Sequence, residues 1–306
     1  MKCKTCAAKA VIEMRRHNAA FCTGCFCTHV ERQVQKTVDT EKMLSKDDRV
    51  LVAVSGGKDS FTLWETLHRL GYSTTGYHIV LGIGDYSPLA REKVEAYAKG
   101  QGLSLIITDL KEEYDFTIPE LSLYTPRVPC SACGLSKRYL MNRTALEAGF
   151  TVLATGHNLD DGAATLLGNL LHWQTEQLGR MRPAMEATHA KLVKTVKPLI
   201  RLTERETLAY TMLRGIDYHE DECPNAVGAT SLLYKDILNQ LEHASPGAKQ
   251  SFYSGFLIKG RATFAAHSDG ITLKACEVCG QVTTTETCAF CRMMEQARRR
   301  AASRNP

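Results

Sequence analysis

The stretch "RVLVAVSGGKDS" (residues 49–60) runs from an apolar segment directly into two adjacent glycines and a turn rich in charged and hydroxyl groups. A continuous apolar run of this length is typical of a strand that is buried on both faces of a sheet. Apolar residues then recur at helical spacing from Leu63 to Leu70, and Gly71 ends the pattern. The stretch therefore predicts a strand, a tight turn and a helix.

The alternation of strand and helix continues along the chain. Apolar runs predict strands at 76–84, 103–110 and 151–156, and helical spacing predicts helices at 88–100, after the cysteines at 130 and 133, and from about 160 to 171. This alternation is typical of an α/β fold with a doubly wound parallel sheet, whose site lies at the carboxyl ends of the strands. Because these strands are parallel, we expect the loops 55–60, 78–86 and 156–161 to lie together at the carboxyl edge of the sheet.

The turn after the first strand has the composition of an anion-binding loop. Adjacent glycines let backbone N–H groups approach an anion, hydroxyls add donors, and the following helix directs its positive end at the ligand. The spacing is not that of a Walker A loop. A plain strand-to-helix turn is the alternative interpretation. The loop consists of Ser55, Gly56, Gly57, Lys58, Asp59 and Ser60.

The composition is that of an ordinary globular protein: 306 residues, 44% hydrophobic, 23% charged and a formal net charge of +5. No apolar run approaches the roughly 18 residues that a membrane span needs, and the N-terminal region lacks the apolar core of a secretory signal. We therefore expect a cytoplasmic protein without a membrane segment. The basic clusters at 15–18 and 298–304 are either solvated ends or nucleic-acid contacts.

Eight of the 12 cysteines form two sets with the spacing of zinc sites, in which each short gap lets two thiolates bind one ion. Closed sets of this kind predict structural zinc that stabilises small modules. Cys27 and His29 lie close behind the first set and leave its fourth ligand open. The sets are Cys3, Cys6, Cys22 and Cys25, and Cys276, Cys279, Cys288 and Cys291.

Three further cysteines suggest a reactive centre. Cys130 and Cys133 have a two-residue gap, and Cys223 lies in a loop marked by Pro224 and Gly228. Three thiolates would hold a metal centre with one open position, which is typical of a reactive site. A thioredoxin-like exchange motif fits less well, because the pair does not open a helix after the first strand. Thiolates favour zinc or an iron–sulfur cluster, and spacing does not choose between them.

Four motifs, "AVSGGKDS", "CSACGLSKR", "ATGHNLDD" and "ECPNA", resemble in the same order those of tRNA 2-thiouridine synthetases of the TtuA type. The resemblance covers nearly the whole chain. It implies a PP-loop ATP pyrophosphatase domain, similar to adenine nucleotide alpha-hydrolases, at 31–265. An N-terminal zinc finger at 1–30 and a C-terminal zinc ribbon with a basic tail at 266–306 would flank it.

The same resemblance implies roles for particular residues. Cys130, Cys133 and Cys223 would ligate a [4Fe–4S] cluster with one iron free of protein ligands, and the loop 55–60 would hold the phosphates of ATP with Mg²⁺. Lys137 would stabilise charge on the phosphate or the uridine oxygen. Residues at the strand ends would hold the adenosine: Ala53, His78, Ile79 and Gly156.

Several residues have a second interpretation. His78 could be a satisfied histidine at a strand end, and Lys137 a solvated lysine in a first helical turn. Asp161 would position Mg²⁺ or Lys137, whereas Asp160 would cap its helix. At position 162 this chain has glycine, whereas many relatives have an acidic residue. At position 25 it has cysteine, whereas some relatives have histidine.

The resemblance implies a two-stage reaction. ATP adenylates the C2 oxygen of a tRNA uridine and releases pyrophosphate, after which sulfide held at the open iron replaces AMP. The implied partners are tRNA, a ubiquitin-like carrier protein with a C-terminal thiocarboxylate, and a second copy of the chain in a homodimer. The zinc modules and basic tail would contact the tRNA backbone. "GLSKRYLMN", "GHNLDDGAA" and "LLYKDILN" favour the T-loop uridine 54 over the wobble uridine 34.

Two other functions fit parts of the pattern. An amidating or lysidine-forming enzyme of the same loop class predicts no metal at the three cysteines. A zinc-finger RNA-binding protein with a vestigial nucleotide loop predicts zinc without ATP turnover. Segment 173–195 is either a loop over the site or a tRNA contact, and 203–214 predicts a packing helix with Thr203 as N-cap and Glu206 three residues on.

Overall fold

The computed structural model describes residues 1–226, 228, 230–268 and 272–304. The chain begins with two antiparallel strands and a helix, which are β1 (Ile12–Met14), β2 (Ala19–Phe21) and α1 (Thr23–Thr40). The apolar face of α1 is fully buried, from Phe26 to Val38. The predicted domain boundary at residue 30 lies inside this continuous helix, so the first module and the following domain share one rigid element; the division stays a prediction.

The chain then alternates between strands and helices. The first part consists of β3 (Arg49–Ala53), α2 (Lys58–Arg69), β4 (Ser73–Val80), α3 (Tyr86–Gln101), β5 (Leu105–Asp109), α4 (Leu110–Tyr114), α5 (Ile118–Tyr124), α6 (Pro129–Glu147), β6 (Val152–Ala154) and α7 (Leu159–Leu171). The second part consists of α8 (Thr175–Arg180), β7 (Ala184–Met185), β8 (Lys194–Val196), α9 (Glu204–Leu213), α10 (Thr230–Ala244) and α11 (Ala248–Gly255). Short 3₁₀ helices lie at Arg15–His17, Pro224–Ala226 and Arg261–Ser268, and a π-helical segment lies at Phe256–Gly260.

The central sheet has the strand order β5-β4-β3-β6-β8-β7. All neighbours are parallel except β7, which pairs antiparallel with β8. The chain moves from β3 outward to β5 and then returns to β6 on the other side of β3. This reversal creates a crevice at the carboxyl ends of β3 and β6, which is where open α/β sheets bind ligands.

Side chains of β3 alternate between two hydrophobic cores. Val50 and Val52 face one core together with Trp64 of α2, whereas Leu51 faces the other with Leu140 of α6. Both faces of the sheet are therefore covered by helices, as parallel strands require. The predicted doubly wound α/β fold is confirmed.

The segment 173–195 is not a loop throughout, so the first of its two interpretations holds only for 186–193, and the tRNA contact stays a prediction. It contains α8 and β7 and leads into β8, the further parallel strand that the sequence did not reveal. Strands of two and three residues are too short to show a periodicity, and their place beside β6 depends on pairing with distant residues. The strand predicted at 76–84 begins three residues earlier, at Ser73, and ends at Val80.

Helix α6 begins earlier than predicted, at Pro129, so Cys130 and Cys133 lie within its opening turns. Proline is favoured at the first helical position, because its fixed backbone angle suits the helix and its missing N–H would be unpaired there. Lys137 is consequently in the third turn and not the first. The interpretation of Lys137 as a cation opposed to the helix dipole is therefore wrong, since the dipole effect is confined to the ends.

The C-terminal module packs on the helices of one face. It consists of the antiparallel strands β9 (Lys274–Ala275) and β10 (Val282–Thr283) and helix α12 (Ala289–Arg304). Phe290, Met293 and Met294 of α12 are buried in the same core as Leu121 of α5 and Leu140 of α6. In the part of the chain that the structure describes, no helix combines the length and the apolar character needed to cross a bilayer.

The helix predicted at 203–214 is confirmed as α9. The side chain of Thr203 accepts a hydrogen bond from the backbone N–H of Glu206, and the Glu206 carboxylate accepts one from the backbone N–H of Thr203. This reciprocal capping box fixes the start of the helix. Glu206 also pairs with Arg16, so the same cap joins the N-terminal module to the main domain.

Candidate active site

A cavity of about 320 Å³ opens at the carboxyl edge of the sheet, where β3, β4 and β6 end. It brings together residues that are far apart in sequence, in the crevice expected of this topology. Gly56, Gly57 and Lys58 belong to the adjoining loop but do not line the cavity. The predicted residues that do are Ala53, Ser55, Asp59, Ser60, His78, Ile79, Lys137, Gly156 and Asp161.

The glycine-rich loop is wound tightly around its two serines. The hydroxyl of Ser60 donates to the carbonyl of Gly57 at 2.8 Å and accepts from the backbone N–H of Ser55 at 3.2 Å. Gly56 has a φ of +91°, and a Cβ there would lie 3.0 Å from the carbonyl oxygen of Ala90. Gly57 is the N-cap of α2 and provides no side chain to it, so the first N–H groups of the helix are left for an anion.

The turn after β6 packs closely against this loop. A Cβ at Gly156 would lie 3.1 Å from the carbonyl carbon of Asp59 and 3.2 Å from the backbone nitrogen of Ser60. On the opposite side, the backbone N–H of His219 donates to the carbonyl of Gly56 at 2.8 Å. The loop is therefore held between β6 and the segment that leads to Cys223.

Lys58 and Asp59 form a half-buried polar centre at the start of α2. The Lys58 ammonium lies 2.7 Å from Glu204 and 3.1 Å from the Asp59 carboxylate, which also accepts from Asn158 at 3.1 Å and from Thr207. Burial raises the pKa of the Asp59 carboxyl, although Lys58 opposes this change. Burial alone would lower the pKa of Lys58, but the carboxylates of Asp59 and Glu204 outweigh it and raise the pKa.

The cap of α7 differs from the prediction that Asp160 would provide it. Asn158 is the N-cap: its side-chain oxygen accepts from the N–H of Asp161 at 3.1 Å, and the Asp161 carboxylate accepts from the N–H of Asn158 at 3.0 Å. Asp160 points away from the cap and pairs with the buried Lys249, because its carboxylate is 3% exposed and needs a counter-charge.

Asp161 pairs with a lysine that the sequence analysis did not single out. Its carboxylate lies 2.7 Å from the ammonium of Lys235, which is also 3.3 Å from Glu204. The structure describes both Asp161 and Lys137, and they form no ion pair. Burial alone would lower the pKa of Lys235, but the two carboxylates raise it.

The buried His78 lines the cavity wall, where one of its two ring nitrogens is available as a hydrogen-bond acceptor. Its Nδ1 lies 2.8 Å from the carbonyl oxygen of Val54, and because a carbonyl can only accept, Nδ1 carries the hydrogen. Burial lowers the pKa of His78, so the ring is neutral. Nε2 is then an acceptor, and it has no partner among the described residues. The bond to Val54 thus satisfies only one of the two ring nitrogens.

His157, a further cavity residue that the sequence analysis missed, lies beside the end of β6. Its Nδ1 is 2.9 Å from the hydroxyl of Thr155, and burial lowers its pKa. Lys197 follows β8 at the same edge of the sheet, and burial lowers its pKa as well. The short strand β8 explains why no sequence signal marked Lys197.

Cys130, Cys133 and Cys223 lie around the start of α6. The Cys130 thiol donates to the carbonyl of Asn225 at 3.1 Å, which docks the loop of Cys223 against this helix. Burial raises the pKa of the Cys133 thiol, and the ammonium of Lys137 opposes that change. Lys137 therefore stands between the cavity and the cysteines.

The three sulfurs are not arranged for a single zinc ion. Tetrahedral Zn–S bonds of about 2.3 Å place sulfurs roughly 3.8 Å apart. Among the described residues, the three cysteines belong to no group whose donor atoms all lie within 4.8 Å of one another.

The two four-cysteine sets, by contrast, have the geometry of zinc sites. In each set the sulfurs lie within 4.8 Å of one another, with Cys6 and Cys22 at 3.6 Å and Cys279 and Cys288 at 3.8 Å. These distances match tetrahedral zinc. The backbone N–H of Cys22 helps lower the pKa of the Cys3 thiol to about 6, which favours the thiolate that metal binding needs.

Cys25 completes the group of four sulfurs, so the geometry favours it as the fourth ligand of the first set. Cys27 is instead buried in the hydrophobic core, and burial raises the pKa of its thiol. His29 stacks on Phe21 with ring centroids 4.9 Å apart. Both side chains are thus occupied in packing.

Gly162 has a packing role that explains the missing acidic side chain. A Cβ there would lie 2.8 Å from Ile200 and 2.9 Å from the ring of Tyr253, so the helix has no room for a larger residue at this position.

Comparison with known proteins agrees with this architecture. A family model described as "PP-loop domain" matches residues 26–228, and one described as "2-thiouridine synthetase TtuA, N-terminal LIM domain" matches residues 2–27. The chain is 50% identical over 304 residues to a tRNA-5-methyluridine(54) 2-sulfurtransferase from Thermus thermophilus, covering 99% of this chain and 94% of that protein. It is 44% identical to the protein of that name from Pyrococcus horikoshii, covering 95% and 93%.

A solved structure has the same overall fold. The U34-tRNA thiolase NcsA from Methanococcus maripaludis, determined with its [4Fe–4S] cluster, superimposes with a TM-score of 0.80 at 26% identity. The match covers 96% of this chain and 96% of that one.

Proposed function

The chain belongs to the TtuA family of tRNA 2-thiouridine synthetases, and on that premise we propose that it is a tRNA sulfurtransferase that uses ATP to replace the C2 oxygen of uridine 54 by sulfur. One observation supports the chemistry most directly. Lys137 lines the cavity beside the glycine-rich loop, and its ammonium also opposes the rise that burial causes in the pKa of the Cys133 thiol. Nucleotide activation and sulfur transfer would therefore occur on either side of one lysine.

The loop and helix α2 would bind the phosphates of ATP with Mg²⁺. The N-terminus of α2 and the hydroxyls of Ser55 and Ser60 face the region where the strand ends, and Asp161 supplies a carboxylate oxygen of the kind Mg²⁺ prefers. The neutral His78 would accept a hydrogen bond from a donor of the adenosine through its free Nε2.

In the first stage, the C2 oxygen of the uridine attacks the α-phosphorus of ATP. An O–P bond forms, the bond to the β-phosphate oxygen breaks, and pyrophosphate leaves. Lys137 is placed to neutralise the negative charge that builds on the phosphate. In the second stage sulfur takes the place of that oxygen at C2, and AMP carries the oxygen away.

Cys130, Cys133 and Cys223 are the residues that would hold a [4Fe–4S] cluster. With three protein ligands, the bound cluster supplies one iron that can carry a sulfur atom. While Cys130 is a thiol, its hydrogen bond to the Asn225 carbonyl keeps the loop of the third cysteine beside α6; as an iron ligand Cys130 would no longer donate this bond. The sulfur source we propose is the thiocarboxylate of a ubiquitin-like carrier, and the working unit a homodimer.

Zinc at the two four-cysteine sets would hold the modules that bear the basic clusters. The C-terminal helix presents Arg299 and Arg300 to solvent, and these would contact tRNA phosphates with an affinity that falls as salt rises. The preference for uridine 54 rests on the greater identity to the proteins named for that position. A wobble-uridine target is the second candidate, because NcsA is named for U34.

The test combines metal content with position-specific thiolation. Protein purified without oxygen should contain about four iron and four sulfide per chain beside about two zinc. It should thiolate tRNA with uridine at 54 in an ATP-dependent manner, and Cys223→Ser should lose iron but retain zinc. A tRNA that lacks uridine only at 54, or only at 34, identifies the target. Zinc without iron after anaerobic reconstitution would rule out the cluster.

A further inference from the structure

Four charged side chains form an alternating row beside the cavity, and Asp161 at one end of the row lines it. Lys58 lies 2.7 Å from Oε1 of Glu204, Oε2 of Glu204 lies 3.3 Å from Lys235, and Lys235 lies 2.7 Å from Asp161. These side chains are only 21 to 38% exposed, so their attractions are less screened than those of ordinary surface pairs. The row runs from the glycine-rich loop to the cap of α7.

This row presents an obstacle to the nucleotide. Lys58 is the lysine of the loop, yet carboxylates of Glu204 and Asp59 already bind its ammonium. A carboxylate oxygen at 2.7 Å has the charge and the distance of a phosphate oxygen. Carboxylates thus occupy two of the three N–H donors of Lys58, so a polyphosphate that binds this ammonium through more than one oxygen must displace one of them.

Glu204 can release Lys58 and still keep its contact with Lys235. Its two oxygens are divided, with Oε1 on Lys58 and Oε2 on Lys235, so one contact can break while the other persists. Its backbone is fixed, because the N–H of Glu204 donates to Asp160 at 2.9 Å and the capping box anchors α9. Lys235 itself is anchored by Asp161.

We propose that Glu204 is a placeholder for the polyphosphate chain of ATP, and that Lys235 is a positioning residue that retains Glu204 when the nucleotide takes over Lys58. The inference rests on the proposed use of ATP. The exchange keeps each charge paired: the phosphate replaces Glu204 on Lys58, and Glu204 remains on Lys235. In the absence of nucleotide the carboxylate prevents Lys58 from binding other anions.

The proposal makes the two residues act in opposite directions. Without the competing carboxylate, Glu204→Gln should bind ATP about five- to tenfold more tightly than wild type. Lys235→Met leaves Glu204 entirely to Lys58 and should weaken binding by a similar factor. Because Lys235 acts through Glu204, the double variant should bind like Glu204→Gln alone, and Lys235→Arg should bind like wild type.

Isothermal titration calorimetry with ATP and with inorganic pyrophosphate, in the presence and absence of Mg²⁺, is the measurement. It needs zinc-loaded protein but neither tRNA nor the cluster. Lys194→Met is the matched control, because Lys194 is 21% exposed, pairs with Glu186 at 2.9 Å and lies at the opposite end of the strands; it should bind ATP like wild type. Thermal unfolding of each variant verifies folding.

Several outcomes would overturn the placeholder. Weaker Mg²⁺–ATP binding by Glu204→Gln, with unchanged pyrophosphate binding in the absence of Mg²⁺, would make Glu204 a metal ligand. If each single variant bound ATP more weakly and the losses added in the double variant, both residues would have only a structural role. If wild type binds ATP and Glu204→Gln binds no tighter, the placeholder fails while the proposed function stands. If wild type binds no ATP, the proposed function fails and the inference falls with it.

Discussion

The rings of Tyr139 and Phe290 stack with their centroids 3.9 Å apart and their planes 9° from parallel. Tyr139 is two residues beyond Lys137 on α6, and Phe290 belongs to the C-terminal zinc module. Asn142, one turn further along α6, donates to Gln281 of the same module at 2.8 Å. The module therefore supports the helix that carries Lys137 and two of the three cysteines.

Phe290→Ala should weaken the packing of the C-terminal module on α6. The ring is 2% exposed, and removing a buried phenylalanine ring costs about 3–5 kcal/mol. We expect that loss in chemical denaturation, together with less iron per chain because α6 is less well held. Leu123→Ala on the neighbouring α5 is the control: Leu123 is 59% exposed, and surface changes stay within about 0.5 kcal/mol. Equal stability of the two variants would refute the role of the stack.

Gly56→Ala should weaken nucleotide binding as well as destabilise the protein. The backbone there has a φ of +91°, and the added methyl group would meet the carbonyl oxygen of Ala90 at 3.0 Å. Strain of this kind costs about 1–3 kcal/mol and would distort the loop. Titration with ATP should show at least about a tenfold loss, which is the equivalent of roughly 1.4 kcal/mol.

Gly100→Ala provides the contrast. This glycine lies in α3 with no atom within 4 Å of the added Cβ, so alanine should raise stability by up to about 1 kcal/mol and leave ATP binding unchanged. If both glycine variants bound ATP normally, the loop would not be the phosphate site.

Cys25→Ser and Cys27→Ala should separate the zinc ligands of the first module. Cys25 belongs to the four-sulfur set, whereas Cys27 is buried in the core. We expect Cys25→Ser to lose one zinc per chain and Cys27→Ala to retain both, with only a small loss of stability for the missing sulfur. Metal analysis by mass spectrometry decides the point, and loss of zinc from Cys27→Ala would show that the ligand assignment is wrong.

Stability should fall on mild acidification because of buried neutral histidines. Burial lowers the pKa of His78 and His157 below the ordinary value of 6.5, so below that pH the unfolded chain binds protons that the folded chain does not. The free energy of unfolding should therefore fall between pH 7 and 5.5, by up to about 1.4 kcal/mol per pH unit for each histidine. Replacing both by glutamine should reduce the dependence and leave the smaller contribution of His17 and His29, whose pKa values burial also lowers, while zinc content is checked at each pH. An unchanged slope would contradict this account.

The sequence predicted those parts of the site that depend on local pattern. The apolar run at 49–54, the glycines behind it and the helix after them are neighbours in the chain, so one short stretch determines the strand, the turn and the helix. The zinc sets were likewise visible, because paired cysteines bind one ion at a fixed local spacing.

The missed features depend on contacts between distant residues. Lys235 lies in "LLYKDILN", a motif noticed for its resemblance, but nothing local shows that its ammonium reaches Asp161 and Glu204. Asp160 was predicted to cap the helix because acidic residues are common caps. Only the folded structure shows that it forms an ion pair with Lys249 instead. Strand β8 was invisible because three residues show no period.

Lys58 and Glu204 are 146 positions apart, and this separation has a consequence for protein synthesis. A ribosome delivers the glycine-rich loop early and its carboxylate partner much later, followed by Cys223, Lys235 and Lys249. The residues that form β3, β4, β5 and β6 therefore leave the ribosome before these charged groups and this thiol. The glycine-rich loop can pack against its own strand and helix well before its long-range ion pair with Glu204 is possible.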